Sequence, residues 1–187
     1  MLSSNERICA LDENFVSKKR TVFQIENSTK LLYKINYKVY NKNGKELYQC
    51  EKGKFCDVIH DNVIFEYEKK NHFTSIDLII QKPNSSYKVI FKKKFGNSID
   101  IVLSNEALNE TANLKMKGHF LKNNFEIYNQ DNSSLLCSFK KNGIFSKMYT
   151  IEVEKGVDSV LMMMIVFILI NMIQRTRTAA ASSAAAA

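Results

Sequence analysis

The sequence predicts a mainly β domain of the α+β class, in which eleven or twelve short strands precede one C-terminal helix. Three observations carry this expectation. From Phe15 to Val153 the chain falls into short runs with alternating apolar and polar residues, rich in β-branched and aromatic side chains. Val160 to Ile170 is then uninterrupted apolar sequence. The length of 187 residues, with one Pro and six Gly, suits one domain plus a tail, with few sharp breaks.

The elements read off in order. Thr21–Ile25 is the first strand candidate. Leu31–Tyr40 follows, with Leu31, Tyr33, Ile35, Tyr37 and Val39 on one face. Asn43-Gly44 marks a hairpin turn, and Glu46–Cys50 returns. Val63–Tyr67, Ser75–Gln81 and Tyr87–Phe91 come next, the last two separated by Pro83-Asn84. Ile99–Leu103, Asn113–Phe120, Asn124–Tyr128, Ser134–Phe139 and Met148–Val153 complete the series, and Glu106–Thr111 reads as one helical turn. An internal echo links Val39-Tyr40-Asn41 and Glu46-Leu47 to Ile127-Tyr128-Asn129 and Ser134-Leu135, at an offset of 88. If it reflects symmetry, it implies a pseudo-two-fold made of two half-barrels.

A helix over about 159–174 would be roughly 24 Å long at ~1.5 Å per residue, short of the ~30 Å hydrocarbon thickness. Being apolar on every side, it needs burial on every side, so the strands are expected to wrap around it. No transmembrane span is expected. Asp158 precedes it as an N-cap, accepting an amide bond at the positive end of the helix dipole. Residues 1–12 read as a loose lead-in, 13–174 as the domain, and 175–187 as a low-complexity Ala/Ser tail that either extends the helix or is flexible.

Enzyme signatures are missing: there is no Gly-rich phosphate loop, Gly-x-Ser-x-Gly elbow or His-Glu-x-x-His. His60, His72 and His119 stand apart, without ligand-like spacing. A Cys137–His119 nucleophile pair would depend wholly on the fold. The Asn129 turn fails as a calcium loop, with Ser134 at the sixth position and Lys140 at the twelfth. Cys9, Cys50, Cys56 and Cys137 form no Cys-x-x-Cys, and the N-terminus has no secretory apolar core, so a cytoplasmic location is expected. No enzymatic activity, metal or cofactor is expected.

The C-terminal third carries a resemblance. Gly118-His119-Phe120, Phe125-Glu126-Ile127-Tyr128, Leu136 to Lys141, Tyr149-Thr150-Ile151-Glu152-Val153 and Gly156-Val157-Asp158, followed by the apolar helix, resemble the LURP-one-related family. That family is related to the tubby C-terminal domain and the phospholipid scramblases. The hairpin Lys38–Tyr48 is similar to the family's early "Val-x-Asp-x-x-Gly-x-x-Leu-Phe" hairpin. The resemblance implies a closed antiparallel β-barrel of about twelve strands threaded by the hydrophobic helix, and it brings no catalytic residues with it.

Function is therefore expected from surface charge. Lys and Arg number 27 against 19 Asp and Glu, a net charge of +8, with a pI of about 9.2. The runs Lys18-Lys19-Arg20, Lys69-Lys70, Lys92-Lys93-Lys94, Lys115 with Lys117, and Lys140-Lys141 recur at strand ends. Near an anionic leaflet each is worth about 1 kcal/mol. One run of three thus falls short of millimolar affinity, and useful binding needs convergence. Lys92, Lys93, Lys94, Lys140 and Lys141 are the candidate lipid-binding residues. They point to acidic membrane lipids such as phosphoinositides, or to a membrane-associated protein, with peripheral association at the cytoplasmic membrane face. The alternatives are a scramblase-like membrane protein and a purely structural protein-interaction module. Nucleic acid fits poorly, because alternation turns Tyr87 and Phe91 away from Lys88 and Lys92.

Overall fold

In the computed structural model the described residues are 11–28, 36–72, 75–82, 85–93, 98–105, 110–119, 124–131, 133–143 and 146–185. The strands are β1 (Thr21–Asn27), β2 (Asn36–Asn41), β3 (Glu46–Glu51), β4 (Lys54–Asp57), β5 (Asn62–Asn71) and β6 (Ser75–Lys82). They continue as β7 (Ser85–Lys93), β8 (Ser98–Asn105), β9 (Glu110–His119), β10 (Asn124–Asn129), β11 (Leu135–Lys141) and β12 (Met148–Val153). Each pairs antiparallel with its neighbour in sequence, and β1 meets β12 to close the barrel. Closure runs through Thr21↔Val153, Phe23↔Ile151 and Ile25↔Tyr149. Among the described strands no edge is left for another chain to pair with.

Helix α1 (Ser159–Ala185) threads the barrel. Every residue from Val160 to Ile170 is at most 1% exposed, and Ile173 is buried too. The inward-facing residues of each strand supply the enclosure: Ile25, Tyr37, Val39, Phe55, Leu78, Ile80, Phe91, Ile101, Leu114, Met116 and Ile151 are all fully buried. Each such large side chain contributes about 1.5–3 kcal/mol of gross hydrophobic stabilisation. Tyr37 is stacked on Phe167 at 4.3 Å between ring centroids, and its hydroxyl donates to the Phe167 carbonyl at 3.2 Å. The helix continues past the expected end at 174 as far as Ala185, because its Ala-rich sequence has high helix propensity.

The helix start is held by Asp158, which is 1% exposed. Its Oδ1 accepts from the Leu161 N–H at 2.9 Å. Its Oδ2 accepts from the Leu11 N–H at 2.6 Å and the Asp12 N–H at 3.3 Å. One carboxylate thus caps the helix and pins the incoming chain across the barrel floor. There the Ser17 N–H donates to the Val157 carbonyl at 2.9 Å and the Gly156 N–H donates to the Ser17 carbonyl at 2.8 Å, beside the Val16↔Asp158 bridge. The lead-in expected to be loose up to residue 12 is fixed at its last two residues, and Leu11 is part of the core.

Three sequence readings change here. The strand Lys54–Asp57 was not foreseen: with four residues and only Phe55 fully buried, it shows no alternation. Glu110 and Thr111 belong to β9, while the rest of the expected helical turn Glu106–Thr111 lies outside the described residues. Residues 31–35 of the expected second strand also lie outside them. The internal echo is real as local structure. Both hairpins carry a register shift at Val39/Tyr40 and Ile127/Tyr128, and in both the Asn side chain accepts the amide two residues on, Asn43 and Asp131 respectively. The half-barrel symmetry does not follow. A two-fold of a twelve-stranded ring relates strands six apart, whereas these hairpins start at β2 and β10.

Gly118 in β9 makes room for a ring. A Cβ there would stand 2.1 Å from Phe125 Cδ1, and Phe125 cannot retreat, being 2% exposed and stacked on Phe139 at 5.0 Å. Gly118→Ala is expected to destabilise by about 1–3 kcal/mol as overpacking, read as a lower urea midpoint; an unchanged midpoint would contradict this packing.

Asp158→Ala removes the acceptor of three amides and is expected to cost about 1–3 kcal/mol. Burial raises the Asp158 carboxyl above the ordinary 3.8. The folded state therefore holds this proton more tightly than the unfolded state. Its stabilisation is complete below the ordinary value and fades as pH rises through the raised one. Over that window, urea titrations should show stability rising less steeply with pH in the wild type than in Asp158→Asn. Parallel profiles would refute the assignment.

Candidate functional site: the outer face of β7–β11

The strands alternate in direction, so the barrel has two rims. α1 enters at the rim where β12 ends and leaves at the opposite one. The ends of β7 and β11 lie at that exit rim, so the runs at Lys92 and Lys140 share one end of the barrel. They are not adjacent on the wall. Four inter-strand steps separate β7 from β11, roughly 19 Å at ~4.8 Å per step.

Alternation decides which side each lysine takes. Lys92 points outward on β7, next to the inward Phe91, and is exposed. Lys93 ends β7, and Lys94 lies outside the described residues. On β11 Lys140 is outward and exposed, whereas Lys141 follows the inward series Cys137 and Phe139 and is half-buried at the rim. The predicted pair Lys140-Lys141 is thus divided between outside and inside.

Midway between the two runs stands β9, whose outward residues include Lys115 and Lys117. Cross-strand register builds a row of Lys92 opposite Asp100, Asp100 opposite Lys115, and Lys115 opposite Tyr128. Lys117 Nζ sits over the Tyr128 ring, 5.1 Å from its centroid, and the Tyr128 hydroxyl donates to Glu126 Oε2 at 2.7 Å. That bond and burial raise the Tyr128 phenol, so it stays a neutral donor. Gln130 Nε2 donates to Asp100 Oδ1 and to the Leu114 carbonyl, both at 3.3 Å. Together Asp100, Lys115, Lys117, Tyr128, Gln130 and Ser133 line an open cleft of about 420 Å³.

Several other cations are set against acids. Arg20 pairs with Glu152 and, at 3.4 Å, with Glu154. Lys38 lies 3.1 Å from Glu46, Lys54 3.4 Å from Glu66, and Lys70 3.4 Å from Glu68. Lys88 lies 3.1 Å from Asp77. Exposed pairs of this kind are worth at most about 1 kcal/mol each, so they shape the potential more than the stability. Among the described residues, Lys92, Lys115 and Lys140 take part in no ion pair. Within the strands, these unpaired lysines lie on β7, β9 and β11; Lys18, Lys19, Lys42, Lys45, Lys147 and Lys155, also without an ion pair among the described residues, lie in the connections.

Lys115 and Lys117 were visible in the sequence as a basic pair, but only the register shows that β9 stands between the other two runs. Tyr128, Gln130 and Asp100 carried no sequence signal as site residues. The conceivable Cys137 nucleophile is excluded by position: Cys137 is fully buried in the barrel, and burial pushes its thiol far up. Burial likewise raises the Cys50 thiol to about 12. In a Cys9→Ser chain at neutral pH, a disulfide reagent should titrate Cys56 alone before unfolding. Rapid reaction of a second thiol in the native protein would contradict the enclosure of Cys50 and Cys137.

Comparison with known proteins gives the same architecture. A crystal structure of a protein from Arabidopsis thaliana superposes with a TM-score of 0.56 at 10% sequence identity, covering 87% of this chain and 97% of that one. No curated protein matches the sequence. The family described as LURP-one-related matches residues 13–170. That span takes in the first barrel strand, the cleft strands and the buried stretch of α1, and the chain belongs to the LURP-one-related family.

Proposed function

We propose that this protein is a non-enzymatic LURP-one-related barrel that docks on acidic phospholipid head groups through the outer face of β7–β11. The observation that carries the reading is a difference between strands: Lys38 on β2, Lys54 on β4 and Lys70 on β5 are set against acids, whereas Lys92, Lys115 and Lys140 on β7, β9 and β11 take part in no ion pair among the described residues. Lys92, Lys115, Lys117 and Lys140 would together draw the barrel to an anionic leaflet with about 4 kcal/mol. That corresponds to only about millimolar affinity, so contacts in the cleft between Lys115, Lys117 and Tyr128 must supply the rest. The reading sets the protein peripherally at the cytoplasmic face of a membrane.

A scramblase-like role is the weaker reading. Among the described residues no helix is long and apolar enough to cross a membrane, and Val160–Ile170 is already enclosed by the strands. Inserting it would expose the inner wall of the barrel to water.

Co-sedimentation with phosphatidylcholine vesicles of graded phosphoinositide content tests the proposal. Binding should rise with the anionic fraction, weaken from low to physiological salt, and drop at least about ten-fold when Lys92, Lys115, Lys117 and Lys140 are replaced by Ala. Absence of binding at low salt, or wild-type binding by the fourfold variant, would overturn it in favour of a protein-interaction role.

A further inference from the structure

The cleft on the outer wall of β8–β10 has two chemically different ends. Lys115 and Lys117 alternate on β9 with the buried Leu114 and Met116. Both therefore point outward, roughly 6.6 Å apart along the strand. Lys117 Nζ is steadied over the Tyr128 ring, 5.1 Å from its centroid. Lys115 is half-buried and takes part in no ion pair among the described residues. Two ammonium groups so spaced suit a single phosphate.

The other end is made of acceptors. Asp100 stands directly opposite Lys115 in the register, where facing side chains start about 5 Å apart. Gln130 Nε2 holds Asp100 Oδ1 at 3.3 Å and is itself fixed by the Leu114 carbonyl at 3.3 Å. A carboxylate accepts about four hydrogen bonds, so Asp100 keeps capacity for donors from a guest. With its NH2 turned to those two acceptors, Gln130 has its carbonyl oxygen to offer, and the exposed Ser133 lines the same end from the β10–β11 turn. The enclosed volume of about 420 Å³ is in the range of small-molecule sites.

This pairing of ends is selective. A bare phosphate satisfies the lysines and leaves Asp100 facing an anion, and a second phosphate at that end would be repelled. Hydroxyl groups beside the phosphate bring the protons that the acceptors need. An ammonium there would also suit Asp100, but an ethanolamine head group is neutral overall, and serine adds a carboxylate next to its ammonium. We propose that the cleft recognises a polyol phosphate: one phosphate between Lys115 and Lys117, with attached inositol or glycerol hydroxyls bonded to Asp100, Gln130 and Ser133. This rests on docking through β7–β11 and narrows its lipid to the phosphatidylinositol kind.

Vesicles of matched charge separate the two readings. Phosphatidylinositol and phosphatidylserine carry the same net charge, so charge alone would bind the full chain equally to both at equal mole fraction. The cleft predicts about ten-fold tighter co-sedimentation with phosphatidylinositol. Asp100→Ala removes an acid from the face, so binding to phosphatidylserine should strengthen about five-fold, while the preference for phosphatidylinositol falls to about two-fold or less. Gln130→Ala leaves the charge unchanged; it should weaken the preference without altering phosphatidylserine binding. Equal wild-type binding to the two lipids, or a preference that survives Asp100→Ala, would overturn the cleft assignment and leave docking standing on charge. If neither lipid binds at low salt, docking through β7–β11 fails, and the deacylated head group glycerophosphoinositol decides the cleft by itself. Amide resonance shifts confined to β8–β10 with glycerophosphoinositol, and not with glycerophosphoserine, would support a site for a soluble polyol phosphate. Shifts with neither would overturn the cleft as well.

Discussion

A helix that is apolar on every side cannot rest on a surface, and the rest of this structure follows from enclosing one. Val160–Ile170 is covered on all faces, which an open sheet could not do. Covering it takes a closed wall, and closure depends on the pairing of β1 with β12, the two ends of the strand series. The helix follows directly from β12, so the closing strand also delivers the core. Asp158 sits at that junction. Because it bonds both the helix start and the incoming residues Leu11 and Asp12, the first and last parts of the domain meet at one carboxylate.

Enclosure also shapes what the surface can do. With the inward half of each strand committed to the helix, chemistry is left to the outward residues and the rims. The thiols show the effect: Cys50 and Cys137 lie on the inner wall, where burial keeps them protonated. The lysines show the converse. Lys38 on β2, Lys54 on β4 and Lys70 on β5 are set against acids, whereas β7, β9 and β11 present Lys92, Lys115 and Lys140 without such partners among the described residues. Tyr128 and Gln130 then give the charged face a cleft rather than a flat patch.

Much of this fold was legible in the sequence, for definite reasons. Alternation in runs such as Met148–Val153 and Asn124–Tyr128 is long enough to reveal a strand, and the uninterrupted apolar stretch after Asp158 demanded a wall. β4 was not legible, since its four residues bury one side chain fully and leave the rest mixed. The hairpin echo was legible as local structure, because the Asn at each turn makes the same side-chain bond; its place in the ring is set by global pairing. The site was legible only in part. Counting lysines finds Lys92 and Lys140, but joining them through Lys115 and Lys117 needs the order of strands around the barrel. The same register separates Lys141 from Lys140.

The central claim is that the barrel works as a closed body, presenting β7–β11 outward while α1 stays inside. Hydrogen–deuterium exchange of the full chain, with and without anionic vesicles, tests this most directly. The account predicts slower exchange at the exit-rim ends of β7–β11 on binding, reversed by salt, with the amides of 160–173 equally protected in both states. Faster exchange in 160–173 on vesicles, or protection confined to β1–β3, would contradict it.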